Sequence, residues 1–95
     1  MRYNVRCMAL AVAEAYRRLR DVSRRVDPSL VVDRGSIRWI DAPYPGVSYN
    51  LVLGDAHAVL FMPSGDIEPP DWEQHVRQRL EAAHRYLAGF THPAC

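Results

Sequence analysis

Between Leu30 and Met62 the apolar residues fall mainly at every second position, whereas on either side of that stretch they recur every third or fourth. A helix repeats at 3.6 residues and a pleated strand at 2, so this switch of period predicts a helix, a run of strands and a second helix, in that order. Neither helix can hide an apolar stripe alone. Both are therefore expected to pack on one face of the sheet. The predicted fold is α+β, ordered α-β-β-β-α with room for a fourth strand, in one compact domain spanning residues 1–95. A chain of this length has surface to bury for one core only.

Val5, Met8, Val12, Tyr16, Leu19, Val22 and Val26 form the first stripe and predict a helix from about Val5 to Arg25. Glu14 precedes Arg17 and Arg18, and Arg17 precedes Asp21, at spacings that favour ion pairs on the helix surface. Asp27-Pro28 ends the helix, and Arg24 and Arg25 sit in its last turn, where positive charge suits the helix dipole. The second helix is expected to open at Pro69-Pro70 and run to about Ala88. Trp72, Val76, Leu80, Ala83 and Leu87, with Phe90 as a further member, form its stripe, Glu73, Arg77, Glu81 and Arg85 an i, i+4 charge ladder, and Gly89 its C-cap.

The clearest strand is Val47 to Leu53, where Val47, Tyr49, Leu51 and Leu53 alternate with Ser48, Asn50 and Val52. Gly54-Asp55 supplies a tight turn into a partner strand, His57 to Met62. Ser36 to Asp41 is a third strand, joined to the hairpin by D-A-P-Y-P-G, and Leu30 to Asp33 gives a short fourth. An antiparallel meander is the simplest arrangement.

All twelve basic residues are arginine. Met1 to Arg25 holds seven of them against Glu14 and Asp21, and the remaining residues hold five against nine acids, so a basic first quarter precedes an acidic remainder. The total of +1 argues against a strong non-specific binder of nucleic acid or membrane. Cys7 and Cys95 lie at opposite ends without metal-ligand spacing and are expected to stay free thiols. Arg2 and Arg6 followed by CMALAVA imitate a secretory leader, but the helical stripe continues through the would-be cleavage point. The expected location is therefore cytoplasmic, and no apolar run approaches the roughly 20 residues of a membrane span.

Chemistry-bearing clusters are weak. His75 and His84 lie nine positions apart on one helix and so point in opposite directions. Asp55 and His57 share a face, the minimum for orienting an imidazole base, but no nucleophile accompanies them. Asp66, Glu68, Asp71 and Glu73 form an acidic approach to a helix N-terminus without calcium-loop spacing. No catalytic residue, metal ligand or cofactor is assigned, and an enzyme is not expected.

Apolar residues out of phase carry more information. Leu10 and Cys7 fall roughly 160° and 140° from the centre of the first stripe. Val59 and Phe61 alternate with Ala58, Leu60 and Met62, so that strand is apolar on both faces although helices cover only one. Trp39 and Tyr49 are taken as further members of the uncovered face, and Tyr44, between two prolines, as either a displayed anchor or a packed turn tyrosine. The candidate interaction surface is thus Trp39, Tyr44, Tyr49, Val59 and Phe61, with Leu10 as a secondary position. It implies a homodimer or another protein partner, unless the tail from Phe90 to Cys95 folds over the same face. The alternative is a small nucleic-acid-binding protein using Arg17, Arg18, Arg20, Arg24 and Arg25.

The segments AVAEAYRRLRDVSRR, WIDAPYPG and PPDWEQHVRQRLEAAHRYLAG, with the arginine-only basic set, resemble a small protein family of unknown function from Burkholderia-type bacteria. The resemblance covers nearly the whole chain. It implies a bacterial source and supplies no active-site residues, because the shared segments are architectural.

Overall fold

The computed structural model describes the backbone of residues 2–90 and the side chains of residues 12–90. Its elements are α1 (Arg2–Val26), β1 (Leu30–Val32), β2 (Arg38–Ile40), β3 (Gly46–Leu53), β4 (Ala56–Pro63), α2 (Ser64–Ile67) and α3 (Trp72–Ala88), with a single 3-10 turn at Arg34–Ser36. The fold is α+β, with an open antiparallel sheet of four strands.

The sheet is not a plain meander. β3 is central, β4 pairs along one edge, and β1 and β2 lie one after the other along the opposite edge. From the pair Val32–Leu51 to the pair Arg38–Ser48 the edge chain advances six positions while β3 advances three. The surplus is wound into the 3-10 turn. Asp33 Oδ1 accepts from Gly35 N at 3.1 Å. Asp33 N donates to Asn50 O at 2.9 Å, and Asn50 N donates to Ser36 Oγ at 2.8 Å. The turn thereby satisfies the two backbone groups of β3 that no strand reaches. An odd surplus also reverses the pleat, so Leu30 and Val32 point inward before the turn and Trp39 after it.

Gly54 opens the β3–β4 turn at φ 62°, a backbone conformation that glycine adopts without the steric cost of a Cβ. β3 and β4 then pair in continuous register from Leu53–Ala56 to Gly46–Pro63.

Val47, Tyr49, Leu51 and Leu53 face the helices, where Leu19 and Val22 of α1 and Val76, Leu80 and Leu87 of α3 close the core. Each such side chain, fully buried, contributes roughly 1.5–3 kcal/mol relative to exposure. Both helical stripes occupy the positions that periodicity predicts, with Tyr16, Val26, Trp72 and Ala83 partly buried at their margins.

Two local expectations are corrected. The acidic approach to the second helix is not irregular throughout but contains the single turn α2, pinned by buried Ile67 and by Glu68 N donating to Ser64 O at 3.0 Å. As a result α3 starts at Trp72, after the Pro69-Pro70 pair, with Trp72 N bonded to Pro69 O at 2.9 Å. The charge ladder of α3 does not pair with itself: Glu73 reaches across to Arg25 of α1. Exposed ion pairs of either kind are worth only ~0.5 kcal/mol, so the packing of α1 against α3, which brings Arg25 within reach of Glu73, decides between them.

At the end of α1, Asp27 N still donates to Ser23 O at 2.9 Å, but Pro28 has no N–H to continue the ladder. Asp27 Oδ1 accepts from Ser29 N at 2.8 Å, and Asp27 Oδ2 meets His84 Nε2 at 2.9 Å. One aspartate thus turns the chain toward β1 and ties the corner to α3.

Candidate functional site

The register places alternate residues of every strand on the face turned away from the helices. Val31, Val52 and His57 form one row across it, Asn50 and Val59 a second, Arg38, Ser48 and Phe61 a third, and Ile40, Gly46 and Pro63 a fourth. The face is apolar in patches. Val59 is 74% exposed, Val31 52% and Phe61 37%. The lower value for Phe61 has a local cause: its ring lies over Gly46, where an added Cβ would sit 2.5 Å from Phe61 Cζ. An aromatic ring covering a cross-strand glycine is a common way to shield bare backbone.

Val59 and Phe61 thus occupy the outer face, as their phase predicts. Tyr49 and Trp39 do not. Tyr49 is 2% exposed in the core, and Trp39, opposite Val47, packs at the core margin with its indole N–H donating to Asp41 Oδ1 at 2.8 Å. Both were assigned to the uncovered face without a register, and inward phase is set by the residues they oppose. Burial drives the Tyr49 phenol well above the ordinary tyrosine range, with the positive charge of Arg79 acting weakly the other way. Tyr44 stands 69% exposed in the β2–β3 loop, so it is displayed rather than packed. The side chains of Cys7 and Leu10, and the whole of Cys95, lie outside what the structure describes.

Sequence reasoning missed Val31, Val52 and Ile40, each the outward apolar residue of its strand, and Tyr86; Phe90, expected on the buried stripe of α3, lies beyond the end of that helix and turns to Tyr86 instead. These two rings stack edge to face, with centroids 4.9 Å apart and planes at 67°, and expose 59% and 55%. Their i, i+4 spacing on the flank of the α3 stripe was the available signal. They border an open hollow with Asp55, Ala56 and His57. No hydrogen bond joins Asp55 to His57 there.

The other two described histidines are held by aspartates, His75 by Asp71 at 3.0 Å and His84 by Asp27 at 2.9 Å. The arginines of α1 are largely engaged within the chain. Arg17 and Arg18 bind Glu14, Arg20 binds Asp21, and Arg25 binds Glu73. Arg18 also donates to Ile67 O at 2.7 Å and lies 4.6 Å above the Trp72 ring. The pairs with Arg18 and Arg17 hold the Glu14 carboxyl below its ordinary range. Where α1 ends against α3, an open groove is lined by Arg25, Val26, Arg77, Glu81, His84 and Arg85.

Comparison with family models, curated proteins and solved structures finds no match. Among the described residues, no helix is long and apolar enough to cross a membrane.

Proposed function

We propose that this chain is a non-enzymatic protein-interaction or self-association module of the bacterial cytoplasm, working through the outer face of its sheet. The observation that carries the reading is Val59, mid-strand and 74% exposed, on a face that no helix among the described residues covers. Exposed apolar side chains grouped on one sheet face commonly mark association surfaces. Sedimentation velocity across a wide concentration range, together with hydroxyl-radical footprinting, tests it. Association that slows oxidation of Val59 and Phe61 is the expected result. A strict monomer in which the same residues are already protected by the chain's own tail overturns the reading.

The nucleic-acid alternative has less support: four of its five arginines, Arg17, Arg18, Arg20 and Arg25 but not Arg24, already have carboxylate partners within the chain. Releasing phosphate counterions requires cations that are free to meet phosphates. A salt titration against DNA and RNA separates the two readings, since the module is expected to bind neither at low salt.

A further inference from the structure

We propose that the partner is a second copy of the chain, joined at the margin of this face through the edge of β4 that no described strand pairs with, to form an antiparallel β4–β4 pair about a two-fold axis at Val59. The inference rests on the interaction reading above and names its partner and geometry.

The direction of the backbone groups follows from Asn50. Its N–H and C=O are both spent toward Ser36 and Asp33, on the side of β3 away from β4. Asn50 and Val59 are therefore a non-hydrogen-bonded pair, and the N–H and C=O of Val59 point out from the sheet, as alternation then requires for His57 and Phe61. Among the described residues no strand takes up that row.

The two edges of the sheet are treated differently. The β1–β2 edge is interrupted by the 3-10 turn and carries Asp33, Arg34 and Arg38, devices that deter strand addition. The β4 edge is eight residues long, unbroken, and reads AHAVLFMP without a charge. Its proline is the last residue, where a missing N–H does not interrupt the ladder.

Charge and register both suit a second copy. With Val59 opposite the partner's Val59, His57 faces the partner's Phe61 and the reverse, so no like-charged residues meet on the strand. The three outward residues of each copy then exchange about six backbone hydrogen bonds, and Pro63 falls outside the ladder. Exposed apolar surface converges on the same edge. Of the six large hydrophobic residues exposed among those described, Val59 and Phe61 are on β4, and Tyr86 and Phe90 share a hollow with His57 at its start.

The test is sedimentation under reducing conditions combined with amide hydrogen exchange on the full chain, its V59K variant and its V31K variant. The wild type is expected to dimerise, with the amides of His57, Val59 and Phe61 as slow as those of Ala58 and Leu60. V59K, folded by circular dichroism, is expected to be monomeric, with those three amides roughly tenfold or more faster. V31K, on the far edge of the same face, is expected to remain dimeric. A monomeric wild type with fast amides at the three positions overturns the pairing and leaves the interaction reading to a different partner. A monomer with slow amides there overturns both, because the chain then covers its own edge. A dimer broken by V31K but not by V59K overturns the edge geometry in favour of face-to-face stacking.

Discussion

The ring of Phe61 lies against the backbone of Gly46, so closely that a methyl group at Gly46 would sit 2.5 Å from both Phe61 Cζ and Met62 O. The glycine permits the aromatic residue to fold down onto the sheet and hold one corner of the outer face.

G46A is therefore expected to destabilise the fold by about 1–3 kcal/mol, the usual range for an overpacked site. Adding F61A to it should recover part of that loss, because the ring is one of the two obstacles. Urea unfolding of the two single variants and the double variant checks the coupling. Strict additivity would mean that ring and glycine do not interact.

Asn50 Oδ1 is shielded and has no hydrogen-bond partner among the described residues. Replacing the side chain by valine removes an unsatisfied acceptor and leaves the backbone bonds of Asn50 in place. N50V is expected to raise stability by about 1 kcal/mol in urea unfolding, and a loss of stability would show that the amide is satisfied in solution.

Tyr49 gives the fold an alkaline limit. Burial raises its folded-state ionisation above the ordinary tyrosine value of about 10. The unfolded chain thus releases the phenol proton before the folded one, and stability is retained below pH ~10 and lost as pH rises beyond it. The slope approaches ~1.4 kcal/mol per pH unit for one such group. No lysine is present to titrate in that window, and Y49F separates Tyr49 from the other four tyrosines. Denaturant unfolding between pH 9 and 12 is expected to show the decline in the wild type and a flatter profile in Y49F.

Asp27 acts at the acid end. The Ser29 backbone N–H, and then His84, hold its carboxyl below the ordinary carboxylate range. The sign is opposite to that of Tyr49: this contribution is present above the unfolded aspartate value and is lost as pH falls through the folded one. The melting temperature of D27N, followed from pH 6 to pH 2, is expected to start lower than that of the wild type and to fall less steeply.

What was legible in the sequence was local. The stripe Tyr16, Leu19, Val22 and the stripe Val76, Leu80, Leu87 follow from the helical repeat, and Gly54-Asp55 and Asp27-Pro28 announce their turns through backbone chemistry within a few residues. That Val59 and Phe61 share one face was readable for the same reason, since their strand alternates without interruption. Trp39 and Tyr49 were not placed correctly, because an alternating pattern separates two faces without saying which one a helix will cover.

The sequence by itself determined the order of the two long helices and the strands between them, the two apolar stripes and the hairpin, all products of steric and hydrophobic preferences that act over one or two turns of chain. Only the tertiary structure decided that β1 and β2 share one edge of β3, that Glu73 pairs with Arg25 rather than with its own helix, and that no described strand takes up the uncharged outer row of β4. Those outcomes depend on register and on contacts between residues up to about fifty positions apart, where packing of the whole core, and not local preference, selects among the available partners.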